Sequence, residues 1–322
     1  MARALVMAHY DTAGVLRQDT VAFLNAATAS FDRLILISTN LARDAERDLS
    51  TSVEVIRREN IGYDFYSYRA GLLRVFEEGV GGTAPTHVTL INSSVLIFQP
   101  QKLLRSLRRT FRDPKSAVGL TVSKDFERHI QSYALSLGAD IVADPVFRAW
   151  WQNMNPLDDR GQVIHEYELG LSRLLVENGY AIEGLWESGF VEKWRSRFIR
   201  KVLRHTRFRH DLGITNPTFA RYGALLRRFG ICKVQLLRDN PRDQDLRRLL
   251  RRIHAIPAWK RAAEQAVAPA RRREKPRSPR KPAASPVTAP RAVTASDAAS
   301  TPEPRNPWAS SAPAIAAARG TR

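Results

Sequence analysis

The chain has 322 residues, of which 51 are Lys or Arg and 32 are Asp or Glu, so its formal net charge is +19. A hydrophobic fraction of 43% over this length excludes a wholly disordered protein, and the single cysteine excludes an internal disulfide framework or a thiolate zinc cluster. No apolar run approaches the roughly 20 residues of a membrane span, and the apolar run at residues 4–8 is too short for a signal-peptide core. We therefore expect a cytoplasmic protein.

The charge is distributed unevenly along the chain. Residues 1–190 contain 20 basic and 23 acidic side chains, whereas residues 191–261 contain 20 basic and 5 acidic ones. Residues 265–322 hold 10 of the 18 prolines, mostly among Ala, Ser and Arg, which is typical of disorder. We therefore predict a near-neutral globular domain at 1–190, a basic helical extension at 191–261 and a disordered tail at 262–322.

Short apolar runs alternate with longer amphipathic ones over the first 120 residues, and this pattern predicts an α/β fold. The predicted strands cover residues 4–8, 33–38, 53–56, 87–91 and 117–122. The predicted helices cover residues 15–29, 65–78, 103–111, 145–154 and 166–178.

Two basic amphipathic helices are predicted beyond residue 190. Over residues 190–208 the apolar side chains recur about every four positions and most Lys and Arg side chains fall on the opposite face, and a similar pattern starts at residue 243. Such helices can lie on an anionic membrane surface. They can equally pack on the preceding domain with their charges solvated.

A dense polar cluster, residues 58–65 (RENIGYDF), follows a predicted strand and opens a predicted helix. This is where an open α/β sheet binds its ligand. Gly62 would let backbone amides approach a phosphate, and Asp64 could bond a ribose hydroxyl. In the alternative interpretation, Asn60 and Asp64 only cap the helix.

Two further polar groups follow or form β-type runs. Asn92, Ser93 and Ser94 follow the strand at 87–91 and offer hydroxyl and amide contacts rather than the carboxylates that hard cations prefer. Residues 129–133 (HIQSY) would place His129 and Gln131 on one face of a strand. A histidine in this position can instead be a hydrogen-bonded structural residue.

Residues 165–168 (HEYE) stand at the start of a predicted helix, where carboxylates are favoured by the helix dipole even without a function. A carboxylate facing a cleft there could act as a general base toward an incoming hydroxyl. The sequence contains no GxSxG, Walker A, CxxC or GxGxxG motif, which counts against serine hydrolases, P-loop NTPases and simple dinucleotide oxidoreductases.

Short motifs stand in a fixed order along residues 4–241: AHYD (8–11), RENIGYDF (58–65), LINSS (90–94), GLT (119–121), HIQSY (129–133), YE (167–168) with GY (179–180), NPT (216–218) and KVQLLRDNP (233–241). Their order and spacing resemble the rhamnan synthesis protein F family of bacterial polysaccharide biosynthesis. Its members are regarded as glycosyltransferases that add rhamnose or a related sugar to cell-surface polysaccharides. The resemblance implies a nucleotide-activated deoxysugar donor, such as dTDP-rhamnose, and a polysaccharide or lipid-linked acceptor.

The pattern is also similar to family 2 glycosyltransferases of the GT-A type, which implies a mostly parallel or mixed sheet flanked by helices and a catalytic domain at 1–190. Residues 92–94 (NSS), the polar triplet, then occupy the position of the metal-binding motif. Ser93 replaces the acidic residue that is usual there, so dependence on a divalent metal is doubtful. Glu168 takes the position of the carboxylate base of an inverting transfer, and Glu166 is the second choice. The remaining implied residues are Tyr10, Asp11, Asn60, Gly62, Asp64, Asn92, Ser93 and Ser94 beside the nucleotide sugar, and His129, Gln131 and Tyr133 on the acceptor or donor-sugar side.

The first hypothesis is therefore a glycosyltransferase, in particular a rhamnosyltransferase, that works peripherally at the inner face of the cytoplasmic membrane. A second is a catalytically degenerate scaffold of polysaccharide assembly, which the change at Ser93 permits. A third is a basic nucleic-acid-binding protein. The sequence favours it least, because it contains no recognisable binding motif and Trp194 and Phe198 fall on the apolar side of their predicted helix.

Overall fold

The computed structural model describes residues 2–124, 126–187, 217–241 and 244–268. Within them the predicted α/β architecture is confirmed: a mixed eight-stranded sheet carries helices on both faces. A separate pair of short strands lies beside it. The strands are β1 (Arg3–His9), β2 (Arg33–Ser38), β3 (Val53–Arg57), β4 (His87–Asn92), β5 (Val95–Ile97), β6 (Ser116–Ser123), β7 (His129–Ile130), β8 (Ala134–Gly138), β9 (Ala181–Glu187) and β10 (Ile231–Lys233).

The helices of the described residues range from single turns to four turns, and none of them is long and apolar enough to cross a bilayer. They are α1 (Gln18–Ala27), α2 (Tyr63–Glu78), α3 (Pro100–Arg108), α4 (Ala139–Ala143), α5 (Pro145–Gln152), α6 (Arg160–Gln162), α7 (Gly170–Glu177), α8 (Pro217–Ala220), α9 (Tyr222–Phe229), α10 (Val234–Arg238), α11 (Arg247–Ala255) and α12 (Pro257–Val267), with a π-helix (Val163–Leu169) between α6 and α7.

The large sheet has the order β3-β2-β1-β4-β8-β6-β7, and β9 pairs with β6. The pairs among β1 to β4 are parallel, whereas β8 runs antiparallel to both β4 and β6. Strands β2 and β3 thus extend from β1 to one edge of the sheet, and the chain then returns so that β4 lies on the other side of β1. The crevice outside the carboxyl ends of β1 and β4 is therefore the topological switch point, where open α/β sheets bind ligands.

Strand β1 shows how the sheet divides two cores. Its residues beyond Arg3 are buried and alternate between faces, so Val6 packs against α2 while Leu5 and Met7 pack against α1 and α3. Gly71 of α2 lies so close that a Cβ there would come within 2.3 Å of the Val6 Cγ1. The sheet is thereby covered on both sides, and only the strand ends remain open to a ligand.

The described residues beyond 216 pack onto the sheet through β5 and β10. Phe98 stacks on Trp259 at 4.6 Å between ring centroids, and Leu249 and Ile253 of α11 join the same buried cluster. The described elements fall within one compact unit. The segment boundary at 190 stays a prediction, and the predicted basic helix at 190–208 lies outside the described residues.

Three local predictions are corrected. The predicted helix at 166–178 is a π-helix followed by α7, because hydrogen bonding shifts register where Tyr167 packs against Phe65. The run at 129–133 forms a strand over only two residues. The predicted tail begins in a helix, because α12 continues to Val267. Ala262 and Ala263 of this helix are buried in the cluster that contains Phe98 and Trp259.

Candidate functional site

A cavity of about 450 Å³ opens at the switch point, outside the carboxyl ends of β1 and β4. The parts of the chain that surround it include the loop after β1, the start of α2, the end of β4, the chain leading into β8, the π-helix and the end of β10. The polar side chains that line it include Tyr10, Asp11, Arg17, Asp64, Asn92, Ser93, Ser94, Gln131, Tyr133, Arg160, Glu168, Lys233 and Arg238.

A chain of hydrogen bonds crosses the floor of this cavity. Asn92, at the end of β4, donates through Nδ2 to Asp64 Oδ2 at 2.8 Å and accepts through Oδ1 from the Ser94 hydroxyl. Lys233 Nζ donates to Ser94 Oγ at 2.9 Å and lies 4.5 Å from the Tyr133 ring centroid. Carboxylate, amide, hydroxyl and ammonium groups are thus connected within one site.

The pairing of two strands places Lys233 there. Strand β10 runs antiparallel to β5 with Lys233 opposite Val95, and the Val234 amide donates to the Ser94 carbonyl at 2.9 Å. This backbone ladder brings a lysine from the later part of the chain against the polar triplet at the end of β4. The position of the ammonium therefore depends on rigid main-chain pairing, and its long side chain is held at the far end by Ser94.

Burial shifts the proton affinity of the two charged groups in opposite directions. Burial raises the pKa of Asp64 to about 6. The negative charge of Glu168 also raises it, whereas the positive charges of Lys233 and Arg58 lower it. Burial lowers the pKa of Lys233 to about 8, partly offset by Glu168 and Asp64. At neutral pH both groups are therefore mainly charged.

Glu168 reaches the cavity from the π-helix. Its Oε1 accepts hydrogen bonds from the Ser132 amide at 2.8 Å and the Ser132 hydroxyl at 3.0 Å. Among the described residues the other carboxylate oxygen has no hydrogen-bond partner, so it is available to a ligand, which is what a general base needs. Glu166, the second choice from the sequence, is exposed and lines neither described cavity, so it does not share the position of Glu168.

A second cavity of about 420 Å³ adjoins the first, and Tyr10, Tyr63 and Asp64 line both. It contains the predicted Asn60 and Gly62. Gly62 immediately precedes α2, as its N-cap, with a φ of +66°, and a Cβ there would lie 2.7 Å from the Tyr66 Cβ. The turn is therefore specific for glycine, and neither Asn60 nor Asp64 makes the side-chain cap that the alternative interpretation required.

His9 also lines the second cavity, and the sequence reasoning assigned it no role. Its Nδ1 is hydrogen bonded to Ser38 Oγ at 2.8 Å, while its buried Nε2 has no hydrogen-bond partner among the described residues. Burial, assisted by the charge of Arg17, lowers the pKa of His9 to about 4. The imidazole is therefore neutral at physiological pH.

Ser93 and Asp11 both organise the loop after β1. The Ser93 hydroxyl accepts from the Tyr10 amide at 3.0 Å and donates to the Tyr10 carbonyl at 3.2 Å. Asp11 Oδ1 accepts from the amides of Ala13 and Val15. Both residues line the cavity, but these side-chain atoms face the protein backbone rather than the open space.

The predicted sugar-side residues separate in the structure. Gln131 and Tyr133 line the first cavity and meet at the Thr121 hydroxyl. This hydroxyl donates to Gln131 Oε1 at 2.8 Å and can accept from the Tyr133 hydroxyl, which lies 2.9 Å away. His129 lines neither cavity, and its Nδ1 is bound to the Glu127 carbonyl at 2.9 Å. This arrangement matches the structural alternative for His129.

The cationic residues of the cavity were not predicted as site residues. Lys233 appeared only within a motif, because nothing in the local sequence shows that β10 pairs with β5. Arg17 is buried beside Asp19 at 3.0 Å and donates to the carbonyls of Ser93 and Val95. Arg160 and Arg238 stand exposed at the rim. Their types and charges are visible in the sequence, but their convergence is a product of the fold.

The side chains present do not fit a divalent cation. The carboxylates that line the first cavity are Asp11, Asp64 and Glu168, and each already accepts hydrogen bonds through one oxygen. No group of three His, Cys, Asp or Glu side chains in the described part of the chain is arranged to hold a metal. An ammonium, that of Lys233, lies among them, so the donor set disfavours a resident Mg²⁺ or Mn²⁺.

Comparison with solved structures gives weak similarity to enzymes that handle nucleotides. A 4-diphosphocytidyl-2C-methyl-D-erythritol synthase of Anaerococcus prevotii has a TM-score of 0.36 and 10% identity, covering 57% of this chain and 86% of the other. Glucosyl-3-phosphoglycerate synthase of Mycobacterium tuberculosis, solved with Mn²⁺, UDP and glucosyl-3-phosphoglycerate, has a TM-score of 0.34 and 9% identity, covering 63% and 79%. Both TM-scores are below 0.5.

Comparison of sequences identifies the family. The uncharacterized protein y4gN of Sinorhizobium fredii is 29% identical over 136 residues, which are 41% of this chain and 34% of that protein. The chain thus matches about a third of the length of this relative. The sequence profile of rhamnan synthesis protein F matches residues 34–199, which is just over half of the 322 residues. The chain belongs to the rhamnan synthesis protein F family.

Proposed function

We propose that this protein is a glycosyltransferase that uses a nucleotide sugar to extend a cell-surface polysaccharide. Membership of the rhamnan synthesis protein F family supports a role in polysaccharide synthesis. The observation that carries the proposal is the pair of adjoining cavities. Tyr10, Tyr63 and Asp64 line both of them, and only the first contains Glu168.

The cavities suggest how a donor is bound. The nucleoside occupies the second cavity, against Asn60 and Gly62, where the glycine turn leaves room for close backbone approach. The diphosphate extends from there toward the end of β4, and the sugar lies in the first cavity. By family resemblance the sugar is a deoxyhexose such as rhamnose, carried by dTDP or a similar nucleotide.

In the proposed transfer, the acceptor hydroxyl gives its proton to the Glu168 carboxylate while its oxygen forms a bond to the anomeric carbon. The bond from that carbon to the phosphate oxygen breaks, and the nucleoside diphosphate leaves with the electron pair. One displacement inverts the anomeric configuration. The Ser132 amide and hydroxyl hold Glu168 in place, and a positioned base of this kind supplies roughly 10²- to 10⁴-fold in rate.

A panel of nucleotide sugars tests donor binding. We expect one of them, with dTDP-rhamnose as the first candidate, to raise the melting temperature of the wild-type protein in a concentration-dependent way. Gly62→Ala should reduce that shift, while Gly81→Ala at an open turn should not. If no nucleotide sugar raises the melting temperature, the proposed function is wrong. Donor binding without sugar transfer to any acceptor would favour the scaffold alternative.

The proposed acceptor is lipid-linked, with the protein held peripherally at an anionic membrane surface. Helix α11 supports this part of the proposal, because Leu249 and Ile253 are buried while its arginines are exposed. Arginines close to an anionic bilayer contribute on the order of 1 kcal/mol each. The exposed arginines of α11 are Arg247, Arg248, Arg251 and Arg252.

Vesicle flotation tests the membrane surface. Wild-type protein should float with phosphatidylglycerol vesicles at physiological salt and not with phosphatidylcholine vesicles. The double variant Arg248→Glu/Arg251→Glu should lose flotation, whereas Arg105→Glu/Arg108→Glu, an equal charge change at exposed positions of α3, should keep it. Equal flotation of both variants would exclude α11 as the contact, and retention on duplex DNA instead of vesicles would favour the nucleic-acid alternative.

A further inference from the structure

The end of β4 carries a positive charge supplied by the protein itself. Lys233 Nζ lies 2.9 Å from Ser94 Oγ, in the triplet that follows the strand, and Ser94 in turn bonds to Asn92. The proposed path of the diphosphate crosses this point. The ammonium therefore stands where the negative charge of a departing diphosphate would develop.

Neighbouring groups hold this charge in place without neutralising it by direct ion pairing. Asp64 bonds to Asn92 at 2.8 Å and Glu168 bonds to Ser132, while Lys233 itself donates to a neutral hydroxyl. The Tyr133 ring lies 4.5 Å from Nζ and favours a cation through its π face. An ammonium has three N–H donors, and within the described part of the chain Lys233 uses one of them for Ser94, so it keeps donors for a ligand.

The other cations of the cavity are less suited to this role. Arg17 is buried, with N–H groups directed to Asp19 and to the carbonyls of Ser93 and Val95. Arg160 and Arg238 are exposed at the rim, and Arg238 forms an ion pair with Asp239 at 3.0 Å. Lys233 is the cationic side chain of the described residues that combines a position on the cavity floor with free donors.

We propose that the ammonium of Lys233 binds the diphosphate of the nucleotide sugar and stabilises the leaving group, in the role that a divalent cation would otherwise fill. The inference rests on the proposed nucleotide-sugar site. As the bond between the anomeric carbon and the phosphate oxygen breaks, the electron pair passes to that oxygen and the ammonium compensates the new charge. No proton transfer from Lys233 is required. Fixed charges directed at a departing anion are among the largest contributions to catalysis.

Calorimetric titration in EDTA separates this inference from the proposed function. The probes are dTDP, UDP, GDP, CDP and ADP, each compared with its own nucleoside. Wild-type protein should bind one diphosphate equally well in EDTA and in Mg²⁺. Lys233→Met should lower the affinity for that diphosphate at least about tenfold, as expected for loss of a charge-assisted hydrogen bond. The affinity for the nucleoside should not change. Lys115→Met, at an exposed lysine that lines neither cavity, is the matched control.

Two outcomes overturn the role of Lys233 while the proposed function stands: wild-type diphosphate binding that EDTA abolishes, and unchanged diphosphate affinity in Lys233→Met. If the wild-type protein binds none of the diphosphates under any condition, the proposed function fails as well. Should Lys233→Met not fold, Lys233→Gln and Lys233→Arg take its place. The glutamine variant should lose diphosphate affinity and the arginine variant should retain most of it, and equal affinities in both would overturn the inference.

Discussion

Lys233 Nζ and Ser94 Oγ meet at 2.9 Å although 139 positions separate the two residues in the sequence. The β5–β10 ladder makes this contact, because it places Lys233 opposite Val95, the residue after Ser94. The cavity at the switch point is therefore built from both the near-neutral first part of the chain and the basic part that follows it. The strong positive charge of the chain first suggests that its surface binds a polyanion. One of the residues that carry this charge, Lys233, lies inside the site.

Replacement of Glu168 by glutamine tests the general base. Glu168→Gln retains hydrogen-bonding capacity toward Ser132 but cannot accept a proton from a hydroxyl. We expect sugar transfer to fall by at least about 10²-fold, with the affinity for the donor unchanged. Both are measured on one preparation, by transfer of labelled sugar and by calorimetry. Glu166→Gln, at the exposed second candidate, should keep full activity, and the opposite ranking of the two variants would assign the base to Glu166.

Diphosphate binding should depend on pH through Lys233. Burial lowers the pKa of this lysine to about 8, and Glu168, Asp64 and Arg160 are the charged groups that influence it. The protonated form binds the anion, so affinity should be full at pH 7 and decline as pH rises through about 8 or somewhat above, because a bound anion favours protonation. Calorimetry from pH 7 to pH 10 measures this decline. Lys233→Arg should show a flat profile, and an equal decline in that variant would attribute the titration to another group.

Gly62→Ala tests the turn at the nucleoside cavity. The new Cβ would lie 2.7 Å from the Tyr66 Cβ and 3.1 Å from the Pro156 Cα, at a φ of +66°. The positive φ alone costs about 1–2 kcal/mol, and the close contacts add to it. Gly81→Ala isolates the first cost, because Gly81 has a φ of +57° with no atom within 4 Å. Denaturant unfolding should show the larger loss for Gly62→Ala, accompanied by weaker nucleoside binding, and equal losses would mean that the turn relaxes.

Ser93→Ala tests the structural role of the residue in the triplet. The variant removes both hydrogen bonds to the Tyr10 main chain. We expect the free energy of unfolding to fall by about 1–3 kcal/mol, with no new response to Mg²⁺ or Mn²⁺. Ser52→Ala, at an exposed serine, should change it by no more than about 0.5 kcal/mol. Equal stabilities of the two variants would show that Ser93 does not hold the loop after β1.

The local sequence pattern predicted the strands that consist of continuous apolar runs. The predicted strands at 4–8 and 33–38 agree closely with β1 and β2, whose apolar runs are buried on both faces. The missed strands are short or lack a clear period. Strand β8 has five consecutive buried residues that include serine and glycine, and β5 and β10 have three residues each. These strands exist because neighbouring strands supply their hydrogen bonds, which a local pattern does not reveal.

The candidate site was predictable where its residues follow strands, and unpredictable where distant segments meet. Asp64, Asn92 and Glu168 were named from motifs, and the fold brings them to one cavity. His129 lies in an equally polar motif, yet its ring is hydrogen bonded to the Glu127 carbonyl and lines neither cavity. The position of Lys233 depends on an antiparallel pair formed across 139 positions. The local sequence of the two segments does not show that they pair.

The most direct test of the central claim is release of nucleoside diphosphate from a panel of nucleotide sugars, measured with wild-type protein in EDTA. We predict that one nucleotide sugar is consumed, with sugar transferred to an acceptor or slowly to water, and that Glu168→Gln abolishes its consumption. If wild-type protein releases no nucleoside diphosphate from any nucleotide sugar, with or without Mg²⁺ and an acceptor, the account of this chain as a glycosyltransferase is contradicted.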